Sequence, residues 1–199
     1  MKRFKRITAV VLMTTMLMGL SACSRSYTRH TGSRTRSTEE AEEPDDNYSD
    51  DLLRKSFGSY EVGYDWVEVP GHSTPPNYYS YCMAGDEQSS MPNNIAVSYG
   101  TNRYSLEDSD DFTGAILSQL TVQAAAYNGT AVMTAFSTDP DQPWYRFDVN
   151  SDDGARTIQW YICGDYKYVM VSLAIYDEDI AEEDHAIDVA EGIVESFNW

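Results

Sequence analysis

Cysteine and histidine are scarce in this chain, three of each in 199 residues. Cys23, Cys82 and Cys163 are too few for a disulfide framework, and His30, His72 and His185 have no metal-ligand spacing, which argues against zinc. Basic residues are scarce in the later part of the chain. From Phe57 onward only Arg103, Arg146, Arg156 and Lys167 stand against 24 acidic residues, and the whole chain carries a net charge of −18. So negative a domain repels nucleic acid and anionic lipid surfaces, so neither is expected as its partner. No G-x-S-x-G, no common phosphate loop and no internal repeat is present. A Cys163–His185 pair is the one nucleophile and base to weigh. Cys163 abuts a tight turn and His185 sits at the edge of an amphipathic helix, so no residue set speaks for catalysis. The chain reads as a binding protein with no cofactor, not as an enzyme.

What is present begins with an address. Lys2, Arg3, Lys5 and Arg6 precede an uncharged apolar run, Ile7 to Leu20, which is too short for a resident transmembrane helix and ends in Leu20-Ser21-Ala22-Cys23. Basic, then apolar, then small is the order of a secretory signal. With a cysteine at the cleavage position it resembles the lipobox of bacterial lipoproteins. The resemblance implies that residues 1–22 are removed and that the Cys23 thiol carries the lipid anchor. The expected location is the extracytoplasmic face of the cell membrane.

Residues 23–56 have little to bury. Arg25, Arg29, Arg34 and Arg36 come first, then Glu39-Glu40-Ala41-Glu42-Glu43-Pro44-Asp45-Asp46. This composition predicts a disordered tether with an r.m.s. span of about 30 Å, which holds the domain off the membrane. The remainder, residues 57–199, is one domain by size. Cys82 and Cys163 allow two readings in an exported domain. One is a disulfide closing a loop of about 80 residues, worth about 4–5 kcal/mol on the chain-entropy model; the other is two buried free thiols.

Within the domain, Tyr60–Gly71 reads as a short strand ending in a Pro70-Gly71 turn, and Asn77–Met83 and Asn94–Tyr99 read as strands. Phe112, Ile116, Leu117, Leu120, Ala124 and Tyr127 then recur at helical spacing, with Asp110 and Asp111 in the first turn and Asn128-Gly129 as the stop. From Thr130 the period becomes two, giving four strands. The last two, Ala155–Cys163 and Tyr166–Tyr176, are expected to join through a Gly164-Asp165 turn. That turn would set Cys163 opposite Tyr166, Tyr161 opposite Tyr168 and Gln159 opposite Met170. The other side of this hairpin is dry: Ile158, Trp160, Ile162, Val169, Val171, Leu173 and Ile175. A final helix with the stripe Ala186, Val189, Ala190, Ile193, Val194 and Phe197 is suited to cover it.

The expected class is therefore α+β, a mostly antiparallel sheet of about six or seven strands carrying two helices. The order β-β-β-α-β-β-β-β-α, closing on Ile193-Val194-Glu195-Ser196-Phe197-Asn198-Trp199, resembles the PsbP-like fold, an α/β/α sandwich. That family includes many bacterial lipoproteins, and its members are mostly interaction or assembly factors. The resemblance transfers no catalytic residue.

Asp148-Val149-Asn150-Ser151-Asp152-Asp153-Gly154 spaces oxygen ligands like a calcium loop. Its glycine comes one residue late, however, and Gln159 stands where the closing glutamate belongs, so a hairpin turn explains it better. Tyr161, Tyr166 and Tyr168 mark an aromatic sheet side that is either covered or open to a protein or cell-wall polymer partner. The expected function is a lipid-anchored envelope binding module. A calcium-dependent envelope factor is the alternative, and an envelope enzyme a weaker one.

Overall fold

In the computed structural model the described residues are 52–137, 139–152, 154, 156–176 and 180–199 (for 180 the backbone only). The expected signal segment, Cys23 and nearly all of the tether lie outside them. Order begins earlier than composition suggested. Leu52–Lys55 forms strand β1 and pairs antiparallel with β2, Gly58–Glu61, so the end of the expected tether belongs to the domain. The reason is Leu53, which packs on the core from within a polar stretch.

Seven further strands make one antiparallel sheet: β3 Trp66–Glu68, β4 Tyr78–Met83, β5 Asn94–Thr101, β6 Thr130–Phe136, β7 Trp144–Asn150, β8 Arg156–Gly164 and β9 Lys167–Ile175. Their spatial order is β3-β4-β5-β9-β8-β7-β6, which puts the two longest strands at the centre and β6 at an edge. Helix α1, Ser109–Ala125, covers one side and helix α2, Ile180–Ser196, the other.

Each layer follows from side-chain alternation. Ile158, Trp160 and Ile162 of β8, with Val169, Val171, Leu173 and Ile175 of β9, pack against Ala186, Ala190, Ile193, Val194 and Phe197 of α2. Fully burying such side chains contributes about 1.5–3 kcal/mol each. On the opposite side Phe112, Ile116, Leu120 and Ala124 of α1 meet Tyr145, Phe147, Val149, Tyr161, Cys163 and Met170. Helix α1 stops where the sequence indicates, but the roles within Asn128-Gly129 are exchanged. Asn128 takes the left-handed conformation (φ 52°). Gly129 instead gives room, since a Cβ there would lie 2.0 Å from the Asn150 carbonyl oxygen.

The central hairpin departs from expectation by two residues. Cys163 faces Tyr168, Tyr161 faces Met170 and Gln159 faces Ser172, so the two-residue turn is Asp165-Tyr166. Gly164 is not there for the turn. A Cβ on it would come within 2.9 Å of the Lys167 side chain and the Trp199 ring, so close packing is what requires the glycine. Tyr166 supplies the positive φ of 57° and is held by hydrogen bonds with Tyr104 and Asn102. Because strand periodicity is two, a two-residue slip leaves every side chain on its expected side.

Candidate functional site

The three tyrosines proposed as a binding side do not form an open surface. Tyr161 is fully buried beneath α1, its ring against Phe112, Phe147 and Tyr168, and its hydroxyl donates to Gln159 Oε1 at 2.9 Å. Tyr168 is partly buried and packs on Phe112 and Tyr161. Only Tyr166, at the turn, is exposed. The alternation that placed them on one side was right, but α1 closes over that side. Tyr79 and Tyr81 belong to the opposite, α2 side.

The disulfide reading is also corrected. Cys82 and Cys163 are both free and buried. Cys82 lies level with Thr157 through the Asn94 and Ala174 pairings, three strand spacings away, and Cys163 is further along β8. That separates them by about 14 Å across the sheet and about 20 Å along it, far beyond what a disulfide spans. Burial pushes the Cys163 thiol up to about 12 and raises that of Cys82. Neither thiol is therefore expected to react with iodoacetamide in the native protein, while both should react in denaturant. Mass spectrometry reads this directly, and a native adduct would contradict the placement. Cys163 and His185 are no pair either. The thiol sits in the α1 core, whereas His185 lies on α2, its Nε2 2.6 Å from Asp65 Oδ2.

Asp148, first residue of the calcium-like stretch, is committed to structure. It accepts from Arg146 Nε at 3.0 Å, Thr134 Oγ1 at 2.9 Å and Arg156 at 3.4 Å. Burial opposes its charge, but these donors outweigh burial and hold its carboxyl below the usual range. Arg146 and Arg156 continue to Glu191 and Glu183, tying the sheet to α2. Among the described residues no group of three or more His, Cys, Asp or Glu side chains is placed to hold a metal ion.

The larger open feature lies at the β6 edge. A cleft of about 970 Å³ is bounded by the start of α1, the turn after β6 and the Asp165 turn. Met133, Phe136 and Tyr145 form an aromatic and thioether floor, because Met133 and Phe136 pair with Phe147 and Tyr145 and share their α1-side face. Glu107, Asp110, Asp139 and Asp165 line the walls, and among the described residues no cationic side chain does.

Hydrogen bonds set the geometry of these walls. Asp165 Oδ1 accepts the Leu106 N–H at 2.9 Å, which joins the central hairpin to the 3₁₀ turn Leu106–Asp108 before α1. Tyr145 donates its hydroxyl toward Ser109 Oγ and Asp110 Oδ1, each at 3.1 Å. Burial, with the Asp110 carboxylate close by, raises the Tyr145 hydroxyl. The acids near α1 were legible as partners of the helix dipole. Their convergence with Asp139 and Asp165 from distant loops was not. One signal was available: Thr130–Phe136 contains neither charge nor proline to protect an edge.

A smaller hollow of about 490 Å³ lies between Lys55, Tyr99, Lys167 and Trp199. Its ammonium groups are engaged, Lys55 with Glu68 at 3.0 Å and Lys167 4.0 Å above the Trp199 ring.

No protein-family model matches the chain, and no curated protein matches it in sequence. Among solved structures it is similar to cyanobacterial PsbP (CyanoP) from Synechocystis sp. PCC 6803, a solution structure. The TM-score is 0.50 at 12% identity, over 79% of this chain and 97% of that one. The fold is therefore PsbP-like, as the order of elements implied. At that identity the likeness carries the fold alone.

Proposed function

We propose that the protein is a lipid-anchored binding or assembly module on the extracytoplasmic face of the cell membrane, engaging a protein or wall polymer through the β6 cleft. The observation that carries the binding reading is the cleft itself, an apolar floor under four carboxylates on a scaffold whose two broad faces are covered by helices. Such a mixture of apolar base and polar rim is what recognition surfaces use. The anchor rests on Cys23 and the segment before it. A single acyl chain binds membranes only marginally, so stable anchoring needs a second chain or a basic patch; Arg25, Arg29, Arg34 and Arg36 lie beside the cysteine.

Two measurements test this. Radiolabelled palmitate should enter the wild-type protein and not Cys23→Ser, and the variant should leave the membrane fraction; equal labelling of both would refute the anchor. A photoreactive side chain at Met133 should give discrete adducts on intact cells. The same group at Val122, on the exposed side of α1, should not. Identical patterns from both positions would count against the cleft.

A further inference from the structure

The geometry points to β6 as an open strand position that takes up an extended, cationic segment of another protein, whose alternate side chains enter the acidic cleft. This rests on the reading of the cleft as the binding surface and adds the mode and chemistry of its partner. Three observations converge on it.

The first is the backbone. Among the described residues β6 ends the sheet order and pairs only with β7. Ser137 donates its N–H to the Trp144 carbonyl at 2.8 Å, so by the alternation of an antiparallel ladder the N–H and C=O of Phe136 point to the open side. The register shift between Met133 and Ala135 bends the strand but leaves this end extended. The opposite edge, β3, is three residues long and carries Glu68, bound by Lys55.

The second is exposed apolar surface. Val132, Met133 and Phe136 are 53%, 39% and 57% exposed, and they account for half of the large exposed hydrophobics among the described residues. An added strand would cover Val132 on one face and Met133 with Phe136 on the other. Edges of this character pair with something unless charge forbids it.

The third is charge, and it selects the occupant. Glu107, Asp110, Asp139 and Asp165 stand along the cleft in a domain with 24 acids from Phe57 onward. A second copy would bring the same acids edge to edge, so self-pairing is opposed by repulsion. A segment alternating Lys or Arg with β-branched residues meets both demands, main-chain bonds to β6 and cations facing the carboxylates.

The test uses the full chain with synthetic twelve-residue peptides. One alternates lysine with valine and threonine, one has the same composition scrambled, and one is alternating but interrupted by proline. Calorimetry and amide hydrogen exchange are read together. Expected are tighter binding of the alternating peptide, by about tenfold or more over the other two, and new protection confined to Thr130–Phe136. Affinity should fall at high salt. Replacing the four carboxylates together (Glu107→Gln, Asp110→Asn, Asp139→Asn, Asp165→Asn) should weaken it by about tenfold. Phe136→Pro should abolish it while Phe136→Ala retains part, edge strands tolerating proline; should the proline variant not fold, the wild-type protection pattern decides.

Equal binding of the scrambled peptide without protection of β6 overturns strand addition and leaves the cleft as a plain cationic-ligand surface. No binding of any peptide overturns this inference, while the adducts from Met133 judge the cleft separately. Protection of β6 in the free chain that vanishes when Arg25, Arg29, Arg34 and Arg36 become serine assigns the position to the chain's own segment. Protection that grows with protein concentration assigns it to a second copy. Either result overturns a separate partner.

Discussion

Tyr161→Ala is expected to lower the unfolding free energy by about 3–5 kcal/mol, the range for truncating a core aromatic. The ring has no exposed surface and contacts Phe112, Phe147 and Tyr168, so its removal opens a hole between α1 and the sheet. A domain of this size has about 5–15 kcal/mol in total, so the loss is about a fifth of its stability or more. Tyr161→Phe keeps the packing but leaves the Gln159 carbonyl oxygen without its donor, at a cost of about 1 kcal/mol. Tyr166→Ala, at the exposed turn, should stay within about 0.5 kcal/mol of wild type. Urea titrations of the three variants separate a core tyrosine from a contact tyrosine. An alanine variant at 161 with unchanged midpoint would mean that α1 does not close over that side.

Phe197→Ala should be comparably costly, about 3–5 kcal/mol, with a local signature as well. Phe197 is buried between Tyr60 and Trp199, with ring centroids 6.5 and 5.0 Å away. Its carbonyl accepts from Gln142 Nε2 at 2.9 Å, and the next residue, Asn198, exchanges two backbone hydrogen bonds with Ser59 at 2.7 and 2.8 Å. Gly58 has to be glycine here, since its φ is 152° and a Cβ would meet the Asn198 carbonyl oxygen at 2.5 Å. Phe197 and Asn198 therefore clamp the β1–β2 hairpin, which among the described residues pairs with no other strand. Hydrogen exchange in residues 58–61 should accelerate more in Phe197→Ala than exchange in β8. Uniform acceleration across the domain would argue against the clamp.

Much of this architecture was readable because it depends on periodicity. The stripe Ala186, Ala190, Ile193, Val194 and Phe197 and the alternation Ile158, Trp160, Ile162 each define a buried face without reference to anything distant. The hairpin shows where such reading ends. Gly164 looked like a turn residue, yet it serves the packing of Trp199, which lies far from it in sequence. Nothing local distinguishes a glycine needed for positive φ from one needed for space. The same limit applies to Tyr161, whose side was predicted and whose cover was not.

The cleft illustrates the limit most fully. Glu107 and Asp110 stand beside a helix start, Asp139 in a loop and Asp165 in a hairpin turn, and each has a sufficient local explanation. Their convergence over Met133 and Phe136 depends on how α1 and three loops meet at one end of the sheet.

By itself the sequence determined the class of fold, the two amphipathic helices, the dry side of the sheet and the acidic character of the domain. These follow from side-chain spacing and composition, which are properties of neighbours along the chain. Only the tertiary structure decided that Tyr161 is core while Tyr166 stays exposed, that the two thiols stand apart, and that an uncharged edge strand borders a cleft lined by carboxylates. Those depend on contacts between segments far apart in sequence, whose distances no local pattern encodes.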